Sequence, residues 1–333
     1  QRLHHAGALF LAGRRGGVGT AALLDSAAML LPAGDLELGA ALLCRRATLV
    51  RSDGWERRVA HADSGIALAR RAGRVGLEGR CMAAKAIVIG ERGNSSPRLF
   101  LTADSLLTLA HDDAERANVL SRAGFKYVVR GDYGAARATL LQSRDLAARV
   151  EHRRFLGNSM AGLAAVALRV NDFATAAAQL HAADSIAISA RDTVLLRLVH
   201  AYQADLASGT GDFARARDLY HIALASYIER AEPYNEWVVR RDLAHLAMRQ
   251  QDWSTAQAQL DSARTLASAN RLTGALEEQP EHEGRLALLR GDAAGARRGC
   301  TRRRRNTACA TVSAPDWPRR TRKWGSWMRP NAS

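Results

Sequence analysis

GVGTAA at 17–22 has the spacing of the GxGxxA turn that lets a backbone approach the pyrophosphate of a dinucleotide. That chemistry needs a preceding β-strand and a βαβ rhythm after it. The preceding HHAGALFLAGRR is rich in Ala and Leu, and no such rhythm follows. A turn between paired helices accounts for the glycines without a nucleotide. His4 and His5 are adjacent and cannot offer the i, i+4 geometry of a helical metal site. Glu281, His282 and Glu283 stand beside Pro280, and the expected reading is a solvated acidic turn between helices. No metal and no cofactor is therefore expected.

Nucleophile chemistry has one suggestive pattern, the Asp–Ser pairs 25–26, 63–64, 104–105, 184–185 and 261–262. No GxSxG elbow accompanies them. A catalytic site is built once, whereas these pairs recur along the chain. They are read as polar residues bordering a packing face, and no catalytic residue is assigned.

The recurrence has a cause in the elements beneath it. GDYGAARATL (131–140) is restated as NDFATAAAQL (171–180), GDFARARDLY (211–220), QDWSTAQAQL (251–260) and GDAAGARRGC (291–300). Taking Tyr133, Phe173, Phe213, Trp253 and Ala293 as anchors, three residues on stand Ala136, Ala176, Ala216, Ala256 and Ala296. Seven on stand Leu140, Leu180, Tyr220 and Leu260; ten on stand Ser143, Ala183, Ala223 and Ala263. Offsets of three, seven and ten follow one face of an α-helix. Nine residues before the anchors stand Gly124, Ala164, Ala204, Ala244 and Gly284, all small, near the end of a preceding helix. Between the helices the Gly or Asn closes one, and the Asp caps the next. The same frame extends upstream with Ser96, Trp55 and Gly17 as anchors, giving spacings of 38, 41, 37 and then 40 throughout.

This order of small residues, aromatic and turn resembles the tetratricopeptide repeat (TPR) family, in a long-period bacterial form. The resemblance implies an all-α, right-handed superhelix of about eight helix hairpins over residues 1–298, best defined over 112–296. It also implies a concave groove, lined by first helices, that holds a peptide or protein segment. Asn118, Asn158, Tyr202, Asp205, Arg241 and His245 are the groove candidates, as polar or aromatic first-helix residues off the packing face. Asn118 and Asn158 share an offset with residues that grip a terminal carboxylate in some family members, but the basic partners do not follow. The implied function is a non-catalytic interaction scaffold within a larger signalling or regulatory protein, in some relatives ahead of a caspase-like CHAT protease domain.

Composition agrees with a helical array. Hydrophobic residues make up 47% and aromatics only 5%, so the apolar content is chiefly Ala and Leu. Only Pro97, Pro233 and Pro280 fall between Pro32 and Pro315. The four cysteines show no CxxC and no short pairing, so neither a disulfide framework nor a zinc pattern is expected, and the cytoplasm is the expected compartment. No apolar run is long enough to span a membrane.

The net charge of +15 divides unevenly: +10 falls on residues 297–333 and only +5 on the rest. After Arg298 the repeat breaks inside a helix and becomes an irregular Arg/Trp-rich tail, 299–333. An altered reading frame is favoured over a passive disordered tail, since Arg outnumbers Lys 45 to 3 and GC-rich DNA read out of frame yields such residues. A missing C-terminal effector is then expected. The alternative is a nucleic-acid-associated regulator acting through the basic tail.

Overall fold

The computed structural model describes residues 18–30, 34–50, 53–92, 97–292 and 294–295. The tail at 299–333 and the HHAGALFLAGRR segment lie outside these residues. Among those described there are fourteen α-helices and no strand. They are α1 (Val18–Met29), α2 (Leu36–Leu49), α3 (Trp55–Arg71), α4 (Val75–Gly90), α5 (Pro97–Leu109), α6 (Asp113–Arg130) and α7 (Tyr133–Arg149), followed by α8 (Arg153–Arg169), α9 (Phe173–Ser189), α10 (Thr193–Thr210), α11 (Phe213–Glu229), α12 (Pro233–Arg249), α13 (Trp253–Ala269) and α14 (Thr273–Leu289). The chain divides into two compact units, 1–162 and 163–333, with the boundary inside α8. Each is a stack of antiparallel helix hairpins.

The joint of each hairpin is made by one Asp acting twice. The backbone N–H groups of Asp132, Asp172, Asp212 and Asp252 donate to Tyr127, Ala167, Ala207 and Ala247 at 2.9–3.0 Å, closing the first helix. Their carboxylates accept from the N–H groups of Ala135, Thr175, Arg215 and Thr255 at 3.0–3.1 Å, capping the second. The preceding residue is left-handed: Gly131 and Gly211 have φ of 78° and 92°, and Asn171 and Gln251 have 60° and 59°. Turns between hairpins use the same backbone trick at Glu151, Arg191, Ala231 and Arg271.

The repeated small residues are the packing seam. Ala136, Ala176, Ala216 and Ala256 are fully buried, as are Ala164, Ala204 and Ala244 on the first helices. The bulky positions Leu140, Leu180, Tyr220 and Leu260 fill the spaces these leave. In the first unit a Cβ on Gly124 of α6 would stand 2.5 Å from Leu140 Cγ, and one on Gly162 of α8 would stand 2.5 Å from Leu140 Cδ2. Two glycines on successive first helices thus form the slot for one leucine.

The upstream frame needs one correction. Offsets of three, seven and ten from Ser96 fall at Leu99, Ala103 and Leu106 of α5, and of these only Ala103 is buried; Phe100, Ala103 and Leu107 are the packing positions. These stand seven, ten and fourteen residues after position 93, so the anchor is 93, not Ser96, and the 40-residue spacing to Tyr133 is kept. The Trp55 frame holds, with Ala62, Gly65 and Ala69 buried. There Arg58 replaces the usual small residue, and its buried guanidinium donates to Ala47 O at 2.6 Å and to both Glu91 oxygens at 2.5 and 2.8 Å.

A second correction concerns cysteine. Cys44 of α2 and Cys81 of α4 are joined as a disulfide across a sequence separation of 37. A search for short pairings misses them because the separation is close to one repeat, which places both on consecutive first helices. Gly65 of α3 makes room: an added Cβ would collide with Cys44 Sγ. The pair removes the absence of disulfides as a ground for expecting the cytoplasm.

A third correction concerns the sequence Glu281–His282–Glu283. It lies within α14, not in a turn, and Pro280 is inside the same helix. Packing against the preceding hairpin outweighs the proline here, since Gln279, His282 and Leu286 are buried.

Candidate functional site

The Asp–Ser pairs carry no assembled chemistry. Ser26, Ser105, Ser185 and Ser262 each donate to the carbonyl four residues back, at 2.9–3.1 Å, on exposed helix surfaces. Asp63 accepts from Lys85 Nζ at 2.6 Å and Asp104 from Arg116 Nε at 3.0 Å. With the corrected anchor, Asp104 shares its offset with Asp184, confirming a repeat position. Among the described residues no group of three or more His, Cys, Asp or Glu is arranged to hold a metal ion.

The structure separates the six groove candidates. Asn118 and Asn158 lie in the first unit, half-buried on α6 and α8. The Asn118 amide donates to Glu115 Oε1 at 2.8 Å, and its oxygen accepts from Arg122 Nε at 3.0 Å. Tyr202, Asp205, Arg241 and His245 lie in the second unit, all half-buried.

Three of those four fall into two columns that sequence reading only partly saw. Tyr202, Asp242 and His282 stand eleven residues before successive anchors, and Asp205, His245 and Arg285 stand eight before. A spacing of three puts both columns on one stripe of the first helices α10, α12 and α14. The register at 202 and 245 therefore carried the signal for Asp242, His282 and Arg285.

The stripe is a network of desolvated polar groups. Tyr220 of α11 donates its hydroxyl to Asp205 Oδ1 at 2.5 Å. Burial, reinforced by the Asp242 charge, pushes the Asp205 carboxyl up to about 6. Burial and then the Asp205 charge also raise the Tyr220 and Tyr202 phenols. Arg241 donates to Asp242 Oδ1 at 2.9 Å, lies 3.8 Å from Glu278 Oε2, and covers the Trp237 ring at 5.3 Å. Burial opposes its charge, but Asp242 and Glu278 overcome that and raise it.

His245 Nε2 and His282 Nδ1 are 3.1 Å apart. Burial holds both imidazoles well below the ordinary histidine value, aided by His282, Arg285 and Arg241 around His245 and by Arg241 and Arg285 around His282. Both are neutral at pH 7.

No family model matches the chain, and no curated protein matches it. Solved structures do. A Rap protein complexed with competence and sporulation factor superposes with a TM-score of 0.58 and 14% identity, over 86% of this chain and 92% of that one. A signal transduction ATPase with numerous domains (STAND) with a tetratricopeptide repeat sensor, from Pyrococcus horikoshii, gives 0.51 and 14% identity. The match covers 92% of this chain but only 46% of the STAND protein. At this identity the likeness establishes the fold: this is an all-helical, TPR-like helical-repeat solenoid.

Proposed function

We propose that this chain is a non-catalytic interaction scaffold whose α10, α12 and α14 stripe receives a peptide or protein segment. The observation that carries it is the column pattern. Where repeat economy would place core or fully solvated residues, six polar side chains of four types occupy two recurrent first-helix columns and remain half-buried or buried. Desolvated, pre-positioned polar groups lose little on binding and reject poorly matched partners.

The Rap structure, solved with a bound factor, and the STAND protein, described with a repeat sensor, support this reading by fold analogy. The STAND match, which takes in only 46% of that protein, supports placing the array as one region of a larger signalling or regulatory protein, and a CHAT protease effector rests on the TPR resemblance alone.

Peptides selected from a random display library against the full chain test the reading. Tyr202→Ala and His245→Ala are expected to weaken them tenfold or more, about 1.4 kcal/mol. Ser185→Ala and Ser262→Ala, on second helices, leave affinity unchanged. Equal losses from all four, or none, contradict the site.

A further inference from the structure

We propose that the Cys44–Cys81 bond is a redox latch: a dithiol reductant opens it and frees the N-terminal half of α2, residues 36–43, while the rest of the first unit stays folded. The latch is separate from the polar stripe, whose residues lie in the second unit.

Three observations converge on it. The bond runs from one hairpin to the next, joining the first helices α2 and α4 across the second helix α3, so its state acts on hairpin packing. The space around the sulfurs fits the bonded pair. A Cβ added to Gly65 of α3 would collide with Cys44 Sγ and stand 3.3 Å from Cys81 Sγ and 3.2 Å from Ala40 O. Cys81 Sγ is itself 3.8 Å from Ala40 O. Cys44 and Cys81 are 6% and 0% exposed and share one buried cluster with Ile66 and Ala84. Two unbonded sulfurs need about 1.5–2 Å more separation than a bonded pair. A close-packed interior supplies that by moving an element.

The polar ties of α2 decide which part moves. After Cys44, Arg46 donates to both Asp53 oxygens at 2.6 and 3.2 Å, and Ala47 O accepts from the buried Arg58 Nε at 2.6 Å. Before Cys44, Glu37 accepts from Arg74 Nε at 2.7 Å, and both side chains are more than half exposed. An exposed pair of that kind contributes little. The bond thus sits where the anchored half of α2 meets the weakly tied half. Opening it uncovers the apolar surface around Ile66 and Ala84.

Reduction balances in two exchanges. One thiolate of the dithiol attacks Cys44 Sγ, the less buried sulfur, and the S–S electron pair leaves on Cys81 Sγ, which takes up a proton. The reductant's second thiolate then attacks its own sulfur in the mixed disulfide and releases Cys44, which is protonated in turn. The dithiol ends as a cyclic disulfide, having passed two electrons and two protons to the protein.

The test uses the full chain carrying Cys300→Ser and Cys309→Ser, which leaves Cys44 and Cys81 as its cysteines. Hydrogen exchange is followed in the oxidised chain, with dithiothreitol, and after reoxidation with oxidised glutathione. On reduction, amides 40–44 are expected to exchange at least tenfold faster and those of 46–49, α5 and α6 less than twofold faster. Reoxidation is expected to restore the original rates. Cys44→Ser is expected to exchange like the reduced chain and to ignore the reductant. Unchanged exchange at 40–44 on reduction would make the bond a passive clamp, and faster exchange throughout α2–α7 would make it a staple of the whole unit; either overturns the latch. Rates that reoxidation does not restore, or slow exchange at 40–44 in Cys44→Ser, would overturn it as well.

Discussion

Asp205 on α10 accepts the hydroxyl of Tyr220 on α11, linking the polar stripe of the first helices directly to a bulky position of the packing seam. The carboxyl is raised to about 6 by burial and by Asp242, against roughly 3.9 in an unfolded chain. Between those values the native state holds a proton that the unfolded state has released. Stability therefore falls as pH rises from about 4 to about 6, then levels. Asp205→Asn is expected to match the unaltered protein near pH 4 and to exceed it at pH 7. Urea midpoints at the two pH values check this; an equal difference at both would contradict it.

Leu140 sits against two glycines, and the tightness of that slot is measurable. Gly124→Ala places a Cβ against Leu140 and is expected to cost about 1–3 kcal/mol. Leu140→Ala removes a buried leucine and costs about 2–5 kcal/mol. The double variant is expected to cost less than the two together, because the smaller side chain frees the space. Hydrogen exchange in α6 and α7 reads the difference; strict additivity would mean that the two residues do not meet.

Asp192 caps α10, the helix that carries Tyr202 and Asp205, by accepting from the N–H groups of Val194 and Leu195, each at 3.1 Å. Asp192→Ala is expected to cost about 1–2 kcal/mol and to speed exchange in the first turn of α10. Peptide affinity should fall with it, since the stripe depends on that helix. An unchanged exchange profile would remove the cap from the account.

The Cys44–Cys81 bond closes a loop of nearly one repeat, and reducing it is expected to cost about 4 kcal/mol within the first unit. Thiol titration under native conditions should leave these two cysteines unreactive until a reductant is added. Protein purified from a reducing cytoplasm with both thiols free, and as stable as the oxidised form, would contradict a structural role for the bond.

Much of the architecture was legible because a repeat states the same physics several times. Ala136, Ala176, Ala216 and Ala256 could be recognised as close contacts from spacing alone, and the capping Asp from its place after Gly or Asn. The parts that escaped are those a repeat states once. Cys44 and Cys81 pair across a repeat, so no local motif marks them. Pro280 reads as a breaker, and only the neighbouring hairpin keeps α14 continuous. Asp242, His282 and Arg285 differ in type from the column mates that were recognised, Tyr202 and Asp205 with His245. Their offsets were visible, but nothing in residue type announced that the column was shared. The register at Ser96 slipped because Phe100 and Leu107 have apolar neighbours at Leu99 and Leu106 that fit a helix equally well.

The central claim, that the α10–α12–α14 stripe is a recognition surface, is tested most directly by placing a photo-crosslinking phenylalanine analogue at single positions. Positions 202 and 245 probe the stripe; positions 185 and 262 probe exposed second-helix sites on α9 and α13. With a display-selected peptide bound to the full chain, the account predicts crosslinks from 202 and 245 and none from 185 and 262. Crosslinks confined to 185 or 262, or equal at all four, would contradict it.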